Sequence, residues 1–239
     1  MPGYGEFCPI AKAMDVLDER WTLLVIRELL LGSRHFNDLR RGNPKMSPAL
    51  LSRRLRSLEK AGLVDRAVDD GGRTSYTLTQ AGQELSTVVH ALGVWSTRWI
   101  PELGEVDLDP HLLLWDIRRT MPLATWPDAR TVVALEFADL TGKSARWWLM
   151  VDRGTAHVCD YDPGFEVAAT VHTTLRTLTE IWRGDRGWAA AMREQTVEIS
   201  GPAAVRREVP GWIGQSMLSA VPRPDAERED RPIRALRSA

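Results

Sequence analysis

Cysteine is scarce in this chain of 239 residues: there are only Cys8 and Cys159, and they stand far apart. Two widely separated thiols argue against a disulfide scaffold and against a zinc site. The sequence also lacks an uninterrupted apolar run near the roughly 20 residues of a membrane-spanning helix. Its first residues carry neither the basic patch nor the apolar stretch of a secretory signal. We therefore expect a cytoplasmic protein with no membrane partner.

The residue spacing of a catalytic or metal centre is missing as well. His111, His157 and His172 are far apart and follow no metal-ligand spacing, and the chain has no G-x-S-x-G turn. Each histidine is better explained as a structural or exposed side chain. An enzyme is the least supported class of function, and we expect neither a cofactor nor a metal.

The net formal charge is only −1, but the charges are unevenly distributed along the chain. Residues 20–66 carry a formal charge of +7, whereas residues 101–239 carry −4. A basic segment joined to an acidic remainder indicates a polyanionic partner for the first segment alone. A run of charges can also be a solvated surface, so the pattern of the side chains has to decide.

Several helices are predicted in the first hundred residues. The short ones cover Ile10–Leu17, Trp21–Leu31 and Phe36–Arg41. A fourth helix begins with Ser47 as its cap and Pro48 at its first position, and it ends at Gly62. This alternation of helices and breaks is typical of a helix-turn-helix.

The fourth helix combines one apolar stripe with a row of basic side chains. Leu51, Leu55 and Leu58 fall at i, i+4 and i+7 and share one face. The other faces carry Arg53, Arg54, Arg56 and Lys60. At about 1.5 Å per residue the helix is about 22 Å long, and the major groove of DNA accepts such a rod side-on. We expect the leucines to be buried and the guanidinium groups to face nucleic acid.

A hairpin is predicted after this helix. Strands at 63–68 and 74–78 flank Gly71 and Gly72, which supply the positive φ angles of a tight turn. Helices followed by a hairpin with Arg73 near its tip give the order of a winged helix-turn-helix. A plain helical domain with a surface hairpin is the alternative, and the placement of the basic residues favours DNA binding.

Short motifs in this part of the chain resemble the HxlR family of bacterial regulators. They run from about residue 7 to 100 and include Cys8-Pro9, Trp21-Thr22-Leu23-Leu24, Arg34-His35-Phe36-Asn37-Asp38-Leu39, Leu51-Ser52-Arg53-Arg54-Leu55, Gly62-Leu63-Val64 and Tyr76-Thr77-Leu78-Thr79. The resemblance implies a homodimer on a two-fold DNA site, acting as repressor or activator. The sequence departs from the family at Glu19, where glycine is usual, and we expect this to affect only a loop. Its hairpin is also shorter, which puts its reach into the minor groove in question.

Candidate DNA contacts follow from this frame. We expect the first turns of the fourth helix to contact the base edges, through Ser47, Ala49, Leu50, Arg53 and Arg54. Because arginine bonds guanine in two places at once, Arg53 or Arg54 is the favoured base reader. Phosphate contacts are assigned to Arg34, Arg40, Arg41, Lys45, Arg56, Arg66 and Arg73. Any single arginine could equally form an exposed ion pair with no role.

A helix from Thr79 to Trp99 carries the pattern of a dimer interface. Its apolar residues are Leu85, Val88, Leu92, Trp95 and Trp99, with spacings of 3, 4, 3 and 4. This is the seam of a helix packed lengthwise on another helix, unless the stripe only covers the core of its own domain. The opening helix offers a second dimer surface. In a dimer the two fourth helices would lie about 34 Å apart in successive major grooves.

Composition divides the chain into four parts. Residues 1–100 form the DNA-binding and dimerisation domain, 101–110 an acidic linker bounded by prolines, 111–222 a second domain, and 223–239 a charged tail predicted to be disordered. In the second domain, strands are predicted at 131–137, 145–151, 155–161, 166–171 and 195–200, and helices at 111–119, 174–183, 188–194 and 203–208. The fold class is α+β, with an antiparallel sheet that has helices on one face.

Motifs in the second domain resemble the sterol-carrier-protein-like domain over residues 111–220. They are Asp162-Pro163-Gly164, Val167-Ala168-Ala169-Thr170-Val171, Leu178-Thr179-Glu180-Ile181-Trp182-Arg183-Gly184 and Val197-Glu198-Ile199-Ser200-Gly201. The resemblance implies a hydrophobic tunnel between sheet and helices, which we expect near Phe137, Trp148, Leu178, Trp182, Met192 and Met217. The tryptophans of this domain could line such a pocket or simply form an aromatic core.

Three functions from different classes remain open. The leading hypothesis is a homodimeric transcriptional regulator whose DNA binding responds to an apolar small molecule in the second domain. The second is a redox or electrophile sensor through Cys8, because some HxlR relatives sense oxidants through a cysteine at this position and Lys12 follows one turn later. The third is a lipid carrier whose first domain serves only to dimerise.

Overall fold

The computed structural model describes residues 4–5, 7–100 and 102–223. The tail predicted as disordered lies outside these described residues, except for Arg223. The chain divides into two compact units, Met1–Gly93 and Val94–Ala239. The division falls within the helix that ends at Trp99 and therefore precedes the predicted linker. Among the helices that the structure describes, none combines the length and the apolar character needed to cross a membrane.

The first unit contains the predicted helices and hairpin. Its elements are α1 (Pro9–Leu17), α2 (Thr22–Leu30), α3 (Phe36–Arg41), α4 (Pro48–Lys60), β1 (Val64–Val68), β2 (Thr74–Leu78), α5 (Gln80–Glu84) and α6 (Ser86–Trp99), the last of which runs on into the second unit. The closing helix was expected to be continuous, but it breaks at Leu85 into α5 and α6. Thr79 caps α5, since its hydroxyl accepts the amide of Gly82 at 3.2 Å.

The leucine stripe of α4 builds the core of the first unit, as predicted. Leu51, Leu55 and Leu58 are fully buried and belong to one apolar cluster with residues of α2 and α3, among them Ile26 and Leu39. Each such leucine stabilises the fold by about 1.5–3 kcal/mol relative to an exposed position. The opposite face of α4 is thereby directed to solvent.

The hairpin is attached to the connection between α2 and α3. The amide of Tyr76 in β2 donates to the carbonyl of Arg34 at 2.8 Å. The ring Nδ1 of His35, the residue before α3, lies 3.0 Å from the carbonyl oxygen of Thr74. At the tip only Gly72 has a positive φ, 77°, so the expectation of two such glycines is wrong for Gly71.

The second unit contains one five-stranded sheet and four longer helices. In chain order its elements are α7 (Pro110–Thr120), β3 (Thr131–Phe137), β4 (Arg146–Asp152), β5 (Thr155–Cys159), β6 (Ala169–Thr173), α8 (Leu175–Arg183), α9 (Trp188–Arg193), β7 (Val197–Ser200) and α10 (Ala203–Ile213). The strand order is β5-β4-β3-β6-β7.

The sheet is mixed rather than antiparallel. β3 and β6 pair in parallel, with Val133 opposite Ala169 and Phe137 opposite Thr173, while the other neighbours are antiparallel. The prediction of an antiparallel sheet is therefore wrong for this central pair. Parallel neighbours need a crossover connection, and here the chain leaves the edge strand β5 and returns through residues 160–168 to the far side of β3.

The main core of the second unit lies on the face of the sheet that carries the helices. Alternation along β3 directs Val133, Leu135 and Phe137 into this core, which also contains residues from α7, α8, α9 and α10. Trp147 belongs to the same core, whereas the next residue, Trp148, lies in a separate small cluster on the other face. The two neighbouring tryptophans therefore lie on opposite faces of β4.

Most tryptophans of the second unit are structural. Trp115, Trp126, Trp147, Trp148, Trp182 and Trp212 are buried. The indole of Trp126 stacks on that of Trp212 at 5.2 Å between centroids and donates to the Trp212 carbonyl at 2.7 Å. Trp147 donates to the carbonyl of Ser144 at 2.8 Å. These contacts favour the aromatic core over a tryptophan-lined pocket.

Candidate nucleic-acid interface

Helix α4 begins as the sequence predicts and presents one face to solvent. The hydroxyl of Ser47 accepts the amide of Leu50 at 3.3 Å, which satisfies one free donor of the first turn. Pro48 occupies the first helical position, where no donor is needed. We call α4 the recognition helix, after its position behind the turn of the helix-turn-helix.

Most of the predicted DNA contacts are exposed in this structure. The exposed residues are Arg34, Arg40, Arg41, Lys45, Ser47, Ala49, Arg53, Arg56, Arg66 and Arg73. Leu50 is half-buried and packs against the core. Arg54 alone among the predicted contacts is buried.

Several of the exposed guanidinium groups have no partner among the described residues. They belong to Arg34, Arg40, Arg53, Arg56, Arg66 and Arg73, whose side chains make neither an ion pair nor a hydrogen bond there. Arg41 differs, since its Nη1 lies 3.2 Å from Oδ1 of Asp38, although its side chain is 63% exposed. Unpartnered, exposed guanidinium groups are available to phosphate oxygens and base edges.

The prediction that Arg54 faces DNA is wrong. Its side chain is only 10% exposed, its guanidinium group pairs with Glu19, and its Nε donates to the carbonyl of Arg20 at 3.2 Å. The reason lies in the helical spacing, because Arg54 stands three residues after Leu51 and four before Leu58, within the inward face. The i, i+3, i+4, i+7 pattern already contained this signal.

The expectation for Glu19 is corrected by the same contact. The residue lies in the loop between α1 and α2, but it pairs with the recognition helix and so is not confined to the loop. A glycine at this position could not make the pair.

Sequence reasoning missed a buried carboxylate in the helix-turn-helix. Glu28 of α2 is fully buried; its carboxylate lies 3.1 Å from Nη1 of Arg27 and 3.3 Å from the hydroxyl of Ser33. The backbone of Gly42, directly after α3, passes so close that a Cβ there would lie 1.8 Å from the Glu28 carboxylate. An acidic residue inside a mostly apolar helix was the available signal.

Helix α6 carries apolar side chains that the chain itself leaves exposed. Val88, Leu92 and Trp95 are each about 45% exposed, and no residue of α6 is fully buried. Leu85 instead packs against the core of the first unit, and Trp99 is half-buried. The predicted stripe therefore divides into one residue that serves its own core and others that remain available to a partner.

Exposed apolar side chains also occur at the start of α1. Phe7 is 98% exposed and Ile10 is also exposed. Cys8 between them is half-buried and caps α1, and its carbonyl accepts the amide of Lys12 at 3.0 Å. The sensing role of Cys8 stays a prediction.

The six residues expected near one cavity are not brought together. Phe137, Leu178 and Trp182 belong to the main core, and Trp148 lies on the opposite face of the sheet. Met192 and Met217 are exposed. The expectation of a single tunnel lined by these residues is therefore wrong.

Among the described residues, the second unit instead contains open clefts, two of which are relevant to ligand binding. One, of about 600 Å³, lies between α9, β7 and α10 and is lined by Met192, Val197, Glu198, Ile199, Ala203, Arg206, Arg207 and Pro210. The other, of about 810 Å³, lies beside the ends of β3 and β4 and includes Phe137 and Trp148. Within the described residues, no group of three or more histidine, cysteine or acidic side chains is placed to hold a metal ion.

Comparisons with known proteins agree with the geometry of the first unit. Residues 16–103 match the family model described as HxlR-like helix-turn-helix. YvaP of Bacillus subtilis (strain 168), named an uncharacterized HTH-type transcriptional regulator, is 38% identical over 99 residues, which cover 40% of this chain and 92% of YvaP. The regulator sll1512 of Synechocystis, named in the same way, is 36% identical over 100 residues, 41% of this chain and 74% of its own.

Among solved structures, the redox regulator HypR in its oxidized form is 29% identical, covers 38% of this chain and 95% of its own, and has a TM-score of 0.36. The two relatives in sequence match about two fifths of the chain. Both relatives in sequence are named HTH-type transcriptional regulators. The chain belongs to the HxlR-like helix-turn-helix family.

Proposed function

We propose that this protein is a sequence-specific, homodimeric DNA-binding transcriptional regulator. The observation that carries the proposal is the two-sided recognition helix. One face carries a buried leucine stripe, and the other carries the guanidinium groups of Arg53 and Arg56, which have no partner in the part of the chain that the structure describes. Names of the relatives support the same function.

Arg53 is the base reader in this proposal. Since Arg54 is held inside the protein, Arg53 is the remaining arginine in the first two turns of the recognition helix. A guanidinium group bonded to O6 and N7 of guanine discriminates against another base by about 1–3 kcal/mol. Ser47 and Ala49, both exposed at the start of the helix, lie beside it along the groove.

Phosphate contacts come from the exposed basic residues around the recognition helix. They are Arg34, Arg40, Arg41, Lys45, Arg56, Arg66 and Arg73. Such contacts fix the register of the protein on the duplex and supply affinity that depends on salt. Arg73 stands at the tip of a short hairpin and reaches the backbone rather than the floor of the minor groove.

The dimer in this proposal forms through α6, with α1 as a second surface. A second copy would cover Val88, Leu92 and Trp95, and the exposed Phe7 and Ile10 provide further apolar area. The two recognition helices then contact half-sites about 34 Å apart, one turn of DNA.

Selection of bound duplexes from a random pool tests the function. We expect a two-fold consensus for the wild-type protein and loss of one guanine per half-site for Arg53→Ala. The matched control is Arg193→Ala, which removes an exposed arginine of the second unit and should leave the consensus unchanged. Recovery of no consensus from the wild-type pool would refute sequence-specific binding.

An apolar small molecule as effector forms the second part of the proposal. The cleft between α9, β7 and α10 supports it, because its lining is mainly apolar and includes the side chains of Arg206 and Arg207, which have no partner among the described residues. The resemblance of this unit to the sterol-carrier-like domain favours the same kind of ligand. An effector acts only if its affinity differs between the DNA-competent and incompetent states.

Decanoate and decanol are suitable probes for the effector. If one of them binds, we expect it to change DNA affinity at least about fivefold, within the usual range of allosteric coupling. Met192→Glu places a charge in the cleft and should abolish the effect, whereas Met217→Glu, at an exposed position that does not line this cleft, should not. A probe that binds tightly without changing DNA affinity would eliminate the coupling.

A further inference from the structure

Arg54 is a charged residue on the inner face of the recognition helix. Its guanidinium group pairs with Glu19, and its Nε donates to the backbone carbonyl of Arg20 at 3.2 Å. Both partners belong to the loop between α1 and α2, so a single side chain ties the recognition helix to this loop at two points. The Arg54 side chain is 10% exposed and Glu19 37%.

The pairing fixes the rotation of the recognition helix about its own axis. Successive residues of an α-helix are turned by about 100°, so holding Arg54 inward determines the direction in which its neighbour Arg53 points. The leucine stripe limits this rotation as well, but apolar contacts are non-directional. The ion pair and the hydrogen bond to Arg20 add direction to the packing.

The loop on the other side of the contact is itself constrained. Trp21 has a φ of 79°, in the left-handed region that a bulky residue rarely adopts. The guanidinium carbon of Arg20 lies 5.3 Å from the centre of the Trp21 ring. Helix α2 begins at the next residue, Thr22. Arg54 is therefore anchored to a segment whose backbone has little freedom.

We propose that Glu19 and Arg54 form a latch that orients the recognition helix and thereby aims Arg53 at its base. Arg54 is a positioning residue that does not touch DNA, and Glu19 determines base selectivity from outside the DNA contact surface. The inference rests on the proposed function only in that Arg53 reads a base. The ion pair itself can be tested without DNA.

Measurement of binding to two duplexes of about 30 base pairs, one selected from the random pool and one of mixed sequence, tests the latch. For Glu19→Gln we expect the ratio of the two affinities to fall about tenfold, as for the loss of a charged hydrogen bond, while the salt dependence stays that of the wild type. Glu59→Gln is the matched control, since it removes the same charge from an exposed position on the recognition helix that has no partner within the described part of the chain. A Glu19→Gln protein that behaves like Glu59→Gln would overturn the proposal.

Arg54→Gln provides the second variant. We expect it to lose selectivity without flattening the salt dependence, and Arg56→Gln to flatten it. The double variant with both Glu19→Gln and Arg54→Gln should lose no more selectivity than either single variant, because Glu19 and Arg54 act as a unit. A flattened salt dependence in Arg54→Gln would make Arg54 a phosphate contact and would refute the positioning role.

Thermal unfolding separates failure of the latch from failure of the proposed function. The decreases in Tm of Glu19→Gln and Arg54→Gln should be non-additive, whether or not the protein binds DNA. Additive decreases would show that the two side chains do not act as a pair and would end the proposal. If the decreases in Tm are non-additive but the protein shows no DNA sequence preference, the ion pair is supported and the reading of bases by Arg53 is rejected.

Discussion

Glu28 and Gly42 show how single residues hold the helix-turn-helix together. A fully buried carboxylate is stable only when hydrogen bonds or charges compensate for the lost water, and here Arg27 and Ser33 lie within bonding distance. Gly42 leaves room for this carboxylate at the end of α3. The absence of one side chain therefore permits the close approach of α2 and the turn before the recognition helix.

The first prediction concerns this contact. Gly42→Ala places a Cβ where the Glu28 carboxylate lies, so we expect a loss of about 1–3 kcal/mol in the free energy of unfolding, as in other overpacked sites. Denaturant titration followed by circular dichroism measures it. Gly71→Ala is the control: its Cβ would meet only Oδ1 of Asp69 at 3.4 Å, and the change should stay within about 0.5 kcal/mol. Equal stability of the two variants would contradict the contact.

Cys159 provides a second prediction at this scale. Burial raises the pKa of its thiol above the ordinary value, and the carboxylate of the neighbouring Asp160 adds to the rise. A raised thiol pKa means less thiolate at neutral pH and slower alkylation. In a Cys8→Ser background, the rate of Cys159 alkylation by iodoacetamide should rise with pH, and this rise should occur at a higher pH than for a free small thiol. Asp160→Asn should shift the profile towards lower pH, and an unchanged profile would exclude the carboxylate as a cause.

At the scale of elements, the sequence predicted the structures that depend on neighbouring residues, but it did not predict the pairing of strands that are distant in the chain. The recognition helix has a cap, a first-turn proline and a leucine period within one segment, and the structure places it at Pro48–Lys60 as expected. The parallel pairing of β3 and β6 depends on which strands meet after the crossover, and the sequence of neither strand determines this. The inward position of Arg54 was in the helical period, but its charge led to the opposite prediction.

Helix α6 carries the third prediction. Leu92→Glu places a charge in the exposed apolar stripe, so we expect the proposed dimer to weaken by at least about tenfold, from the lost burial of one leucine. Sedimentation equilibrium measures the dissociation constant. His90→Glu, two residues earlier and exposed on a different side of the same helix, adds the same charge and should leave it unchanged. Equal weakening by both variants would show that charge on α6, and not the stripe, controls association.

At the scale of the whole molecule, the uneven distribution of charge determines which residues should make the DNA affinity depend on salt. The excess of basic side chains lies within residues 20–66, which carry a net charge of +7, whereas residues 101–239 carry a net charge of −4. We therefore expect counterion release from DNA to depend on the basic side chains of the first unit and not on the arginines of the second unit. The near-zero total charge conceals this division.

The last prediction follows from that division. Each phosphate contact contributes about −0.9 to the slope of log affinity against log salt concentration, so Arg56→Gln, which removes one contact per protomer, should flatten the slope of a dimer by about 1.8. Arg193→Gln removes the same charge from an exposed position in the second unit, where the arginine has no partner among the described residues, and should leave the slope unchanged. Fluorescence anisotropy with a mixed-sequence duplex at several salt concentrations gives both values. If Arg193→Gln flattened the slope as much as Arg56→Gln, the second unit would also contact DNA, because long-range charge effects at 0.1 M salt decay within about 10 Å.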